Sequence, residues 1–172
     1  AFPKEARKVP RILAEHGIRF MVIEPLPGVR MDGAAFWLDE KSPVICVSIR
    51  HDRVDAFWFT LMHEFKHILD HPFIDYVYPT NWAHDSERRA ELVADYFAAC
   101  VLMPKRLVKR SYGNGQQRVK DLAADFGVSP VAMNYRLQQL GLINRVERCQ
   151  PRHRPSGQHK GYFRLPSLTV AA

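Results

Sequence analysis

Phe59-Thr60-Leu61-Met62-His63-Glu64-Phe65-Lys66-His67-Ile68-Leu69 is the stretch that decides the fold. It contains an H-E-x-x-H motif, His63 to His67, in a run whose apolar residues Phe57, Leu61, Phe65 and Ile68 or Leu69 recur at the helical period. Residues i and i+4 project from one helix face, one turn apart. Two imidazoles so placed can grip one zinc ion through bonds of about 2.0–2.1 Å. Glu64 points to the flank of that face, where it reaches a water at the metal rather than the metal itself. The reading predicts a helix from Asp52 to about His71, capped by Asp52 or Asp55.

A catalytic site of this kind needs a third protein ligand. A downstream histidine in the pattern H-E-x-x-H-x-x-G-x-x-H is excluded, because Ile68-Leu69-Asp70-His71-Pro72-Phe73 has neither the glycine nor the histidine in place. A second helix is predicted from about Asp85 to Met103, stopped by Pro104, with Ala90, Val93, Ala94, Phe97 and Val101 as its buried face. It carries Glu87, Glu91 and Asp95 four residues apart on one stripe, and periodicity alone does not choose among them.

Working outward, residues 4–17 read as one helix stopped by Gly17. Ile18 to Ile23, Gly33 to Leu38 and Pro43 to Ile49 read as strands, the last two joined as a hairpin through Asp39-Glu40-Lys41-Ser42. Residues 72–84 read as a loop. Two short helices, about Val119 to Phe126 and Ser129 to Leu140, flank Gly127 with the spacing of a helix-turn-helix, packed through Ala123, Val128, Met133 and Leu137. The second contains one basic residue, Arg136, while Lys105, Arg106, Lys109 and Arg110 precede the pair and are placed to touch phosphate.

Composition sets the outer limits. The chain has 172 residues, 47% hydrophobic and 25% charged, which excludes disordered, collagenous and disulfide-dense classes. Its longest apolar run, Phe97 to Met103, is far short of the ~20 residues of a spanning helix, so no membrane partner is expected. The formal charge of +7 is concentrated at the C-terminus, where residues 145–172 hold six Arg or Lys and one acid. Cys46, Cys100 and Cys149 form no CxxC pair, and the first residues lack an apolar leader. These features predict reduced thiols and a cytoplasmic location. The chain begins with Ala1, so a preceding DNA-binding domain is compatible with the sequence.

Glu91-Leu92-Val93-Ala94-Asp95-Tyr96-Phe97-Ala98-Ala99-Cys100-Val101-Leu102-Met103-Pro104 resembles the second signature of the ImmA/IrrE zinc metallopeptidases, E-x-x-A-[ND]-x-F-A-A-x-L-L-M-P, departing only at Val101. The His63 segment resembles the first signature, with Lys66 an unusual residue outside the ligand set. The resemblance spans residues 10–143. It implies an α+β, minimal zincin-like (gluzincin-like) peptidase, with a small sheet and two metal-bearing helices followed by a helix-turn-helix-like subdomain. It implies His63, His67 and Glu91 as zinc ligands and Glu64 as general base. Asp95, one turn beyond Glu91, is then expected to orient His63 through its other ring nitrogen, and Glu87 to serve the helix start.

The corresponding organisation is a peptidase core over residues 1–112, the helical subdomain over 113–147 and a basic, flexible tail over 148–172. The expected activity is zinc-dependent hydrolysis of a peptide bond in a regulatory protein, a helix-turn-helix repressor of a bacterial stress or mobile-element response. Weak DNA contact is a further expectation. The competing reading is a DNA- or partner-binding regulator with a structural or degenerate zinc site. The edge of Val44 to Ile49 is expected to receive extended substrate, and His71, His84, Tyr76 and Tyr78 are the candidates for stabilising the oxyanion.

Overall fold

The computed structural model describes residues 3–25, 28, 31–70, 83–113 and 117–144, with backbone alone for residues 3, 4 and 83–87. Residues 148–172, read as a tail, and 72–82 of the segment read as a loop lie outside the described residues, as do His71, Tyr76, Tyr78 and the side chains of His84 and Glu87; residues 83 and 84, read as the end of that loop, are helical. Helices α1 (Pro3–Ala6) and α2 (Val9–Glu15) precede strands β1 (Arg19–Ile23), β2 (Gly33–Trp37) and β3 (Pro43–Ser48). Then come α3 (Val54–Asp70), α4 (Ala83–Leu102), α5 (Lys105–Tyr112), α6 (Val119–Asp125) and α7 (Pro130–Gln139). The fold is α+β.

The single helix expected over 4–17 is two. Pro10 lies in the first turn of α2. It has no N–H to give the Ala6 carbonyl, and its ring collides with that carbonyl in a continuous helix. The chain breaks at Arg7 and Lys8 and restarts. Gly17 does end α2, at φ +76°, with its N–H on Ala14 O and the Ile18 N–H on Leu13 O.

The β2–β3 hairpin forms as expected and is antiparallel, with Phe36 opposite Val44 and Gly33 opposite Val47. Its turn closes through the Leu38 N–H on Ser42 O and the Lys41 N–H on Asp39 Oδ1. β1 adds in parallel to the other side of β3, giving the order β1-β3-β2. A parallel partner needs a crossover of a dozen or more residues, which the segment between Ile23 and Pro43 provides. β3 is therefore central and buried from Pro43 to Val47. This corrects the expectation that Val44 to Ile49 offers a free edge. Both its edges are paired, and among the described residues the outer edge of β2 has no strand partner.

α3 lies on the sheet through Phe57, Leu61 and Ile68, which join Val9, Ile18, Ile45 and Val47 in one apolar cluster. Its first helical bond runs from the Phe57 N–H to Arg53 O, so neither Asp52 nor Asp55 occupies the cap. Asp55 instead accepts the Ser129 N–H at 2.8 Å and pairs with Arg53. Burial alone would raise the Asp55 pKa, but these two donors outweigh it and hold the carboxyl below its usual value.

A second cluster gathers Ala99, Met103, Val108, Leu122, Ala123, Val128, Met133 and Leu137 from α4 through α7. Gly127, at φ +62°, makes the turn between α6 and α7, and Ser129 Oγ caps α7 by accepting the Ala132 N–H. Arg136 is not on an outer surface. It is fully buried, donating to Met103 O at 3.0 Å, to Gln139 Oε1 and to Cys100 Sγ, and it stacks over Tyr96. It is thus withdrawn from any nucleic-acid role and tethers α7 to the C-terminal end of α4, whose dipole favours a cation.

Removing a buried cation's stem and its hydrogen bonds together should be costly. Arg136→Ala is expected to destabilise the chain by about 3 kcal/mol, since it strips the Met103 carbonyl of a donor and leaves a void. Arg136→Met, which keeps the stem, should recover part of that. Urea denaturation of both variants measures the difference.

Candidate metal centre

Two long helices position the site, and small residues set their separation. Among the described residues of α4, Ala94 is buried as expected, together with Ala98 and Ala99. Val93 and Val101, expected on the same face, are exposed, which corrects that part of the apolar pattern. A bulky ridge would hold α4 away from α3, whereas alanines let the helices approach until the acids one turn apart on α4 reach His63.

His63 Nδ1–H donates to Asp95 Oδ1 at 2.9 Å. That bond fixes the tautomer and leaves the Nε2 lone pair pointing to the other side of the ring. His63 Nε2 lies 3.1 Å from His67 Nε2 and 3.1 Å from Glu91 Oε2, and His67 Nε2 lies 3.2 Å from Glu91 Oε1. Burial lowers the His67 pKa, against the raising effect of Glu91, and favours the neutral ring. Two imidazole nitrogens and a carboxylate therefore converge on one point, the donor set of a cation site.

The dimensions fit. A tetrahedral ion with bonds of 2.0–2.1 Å has ligand-to-ligand edges of about 3.3–3.4 Å; the 3.1 Å between the two imidazole nitrogens is close to that edge, and each nitrogen has one Glu91 oxygen at a similar distance, Oε2 for His63 and Oε1 for His67. His63, His67 and Glu91 are also the group that can hold a metal ion among the described residues. Of the three acids left open by periodicity, the structure brings Glu91 to both imidazoles and Asp95 to the far nitrogen of His63. Lys66 turns away and pairs with Asp70.

Glu64 faces the sheet and is 7% exposed. Burial pushes its pKa up to about 7, with His63 lowering it and Glu91 adding a smaller upward push. The cover is Gly33, a residue whose role is not visible in the motifs. A Cβ at Gly33 would stand 2.6 Å from Glu64 Oε1, 2.8 Å from Glu64 Cγ and 2.5 Å from Thr60 Cγ2. Only glycine lets β2 lie this close to α3. The adjacent residue holds it there, since Asp32 accepts the Arg50 Nε–H at 2.8 Å and its carbonyl accepts the Ser48 N–H. The available signal was a glycine opening a strand, which often marks a close backbone approach.

Residues 14–138 match the Peptidase_M78 family, described as the IrrE N-terminal-like domain. The chain belongs to this family, the ImmA/IrrE metallopeptidases. A search of curated proteins found no match.

Two outcomes follow from the burial of Glu64. Its folded pKa lies above the value of 4.5 for a free carboxyl. Its contribution is therefore most favourable below that value and is lost as pH rises through about 7. In chelator-treated protein, Glu64→Gln should raise stability at pH 8 by about 2–3 kcal/mol and by less than about 1 kcal/mol at pH 5. Thermal melts of both proteins at the two pH values check this. Gly33→Ala should keep the metal but displace the carboxylate, reducing kcat by about 10- to 100-fold. Metal analysis beside turnover measurements distinguishes that from loss of the site.

Proposed function

We propose that this chain is a zinc-dependent endopeptidase acting on a regulatory protein, a helix-turn-helix repressor in a bacterial stress or mobile-element response. The observation that carries the chemistry is the convergence of His63, His67 and Glu91 beside the buried carboxyl of Glu64. The regulatory substrate rests on the resemblance to ImmA/IrrE proteins. Zinc fits the donor set of two imidazoles and one carboxylate.

His63, His67 and Glu91 would hold the ion, with Asp95 keeping His63 in the ligating tautomer. When bound, zinc supplies a Lewis acid that polarises the scissile carbonyl and eases deprotonation of a water. Glu64 takes the proton from the attacking water at its carboxylate oxygen and passes it to the leaving amide nitrogen. Its burial raises its proton affinity above that of a free carboxyl, which suits a group that accepts a proton and then returns it. The outer edge of β2, which packs on α3 and has no strand partner among the described residues, suits an extended substrate backbone adding as a further strand.

A purely structural site would more often close with a fourth protein ligand. Among the described residues this group has three, and it stands beside a carboxyl that ligates nothing. Both features favour the hydrolytic reading over a regulator with a structural site.

Glu64→Gln is expected to retain zinc and lose at least about 100-fold in kcat, since the amide cannot accept the proton. Glu91→Ala should lose zinc on dialysis against a weak chelator, while Asp95→Ala should weaken affinity or activity by about 10- to 100-fold. Zinc stoichiometry, together with cleavage of the repressor encoded beside this gene, provides the test. Wild-type turnover by Glu64→Gln would remove the base assignment.

A further inference from the structure

α5 carries a charge pattern that the stability of the chain does not explain. Lys105, Arg106, Lys109 and Arg110 form two adjacent i,i+4 rows, and all four are exposed. Like charges at this spacing repel. The first turn contains Lys105 and Arg106, no acid and no side-chain cap, so the helix dipole opposes these two, while it favours Lys109 and Arg110 in the last turn. Among the described residues no carboxylate forms an ion pair with any of the four, whereas nearby Arg118 is neutralised by Asp121 at 2.8 Å. The opposite face of α5 is committed, with Val108 fully buried and Tyr112 packed on the same cluster. Little apolar surface beyond Leu107 remains to enter a bilayer, so the free face offers charge alone.

We propose that this face of α5 binds the phosphate backbone of duplex DNA. The four cations span about 7.5 Å of helix axis at 1.5 Å per residue. A duplex presents one charge per about 1.7 Å, hence about four over that length, while a single strand presents about half as many. The match in charge density favours the duplex. The contact carries no sequence information, because phosphates do not report the bases. α7 adds no cationic base reader, as Arg136 is buried and the exposed Val131 and Tyr135 are uncharged. DNA binding here does not depend on the peptidase reading. Taken with it, the contact would hold the enzyme where a DNA-bound repressor is found.

The test is fluorescence anisotropy of the full chain with a labelled random-sequence duplex over 50–200 mM salt. Wild type should lose at least about 100-fold in affinity across that range, for a slope of about −0.9 per neutralised phosphate. K105Q/R106Q/K109Q/R110Q should reduce the slope by about 3–4, and each row alone, K105Q/K109Q or R106Q/R110Q, by about 2. The quadruple variant should melt no lower than wild type, because repulsion is relieved, and should cleave a free protein substrate at the same rate. A second variant replaces the six cations of residues 145–172 by glutamine and leaves α5 intact; it should retain the slope change attributed to α5. The proposal is overturned if the α5 variants bind with unchanged slope, or if all salt dependence disappears with the tail cations. Tighter binding of single-stranded DNA, an acidic peptide or anionic phosphatidylserine vesicles than of the duplex would also overturn it.

Discussion

The convergence of His63 Nε2, His67 Nε2 and the Glu91 carboxylate on one point is the constraint on which the other arrangements rest. These atoms lie within 3.2 Å of one another because two helices bring them there. α3 must lie flat on the sheet, and α4 must come close enough for its carboxylates to reach across. The alanines at 94 and 98 permit the approach, and the Asp95 bond turns the His63 ring so that its lone pair faces the metal position. The second cluster of apolar residues, locked by Arg136, fixes the far end of α4 and so limits how the helix can shift along α3.

Glu64 shows the cost that such a site imposes on the fold. A carboxyl covered by a strand and held near neutrality would be more stable as an apolar or amide group at alkaline pH. The covering residue, Gly33, gives up its own side chain so that the cover can form. Catalytic groups with perturbed pKa values commonly lie in such places, where burial and neighbouring charges tune a proton affinity that water would not allow.

Much of this was legible in the residues. The i,i+4 histidines, the helical period around them and the turn at Gly127 depend on local geometry, and local geometry is written in local sequence. The second signature, from Glu91 to Pro104, indicated which acid to expect, and spacing alone did not. What escaped the reading depended on partners distant in the chain. Val93 and Val101 were expected to be buried, because apolar residues mark a buried face, yet close helix packing selected the smaller alanines. Arg136 reads as a surface cation until the end of α4 is brought against it. Gly33 reads only as the first residue of a strand until Glu64 lies beneath it. Pro10 was readable in principle, since its missing N–H forbids the continuous helix, but the apolar pattern across it was the more conspicuous signal.

The most direct test of the centre is X-ray absorption spectroscopy at the zinc edge of the zinc-loaded chain, beside the same measurement on Glu91→Ala. The expected wild-type spectrum has only nitrogen and oxygen neighbours at about 2.0–2.1 Å, including the outer-shell scattering of two imidazoles, in four- or five-fold coordination. In Glu91→Ala the ion should be lost or its oxygen shell altered. A sulfur neighbour near 2.3 Å, or a spectrum in Glu91→Ala identical to wild type, would contradict a centre built from His63, His67 and Glu91.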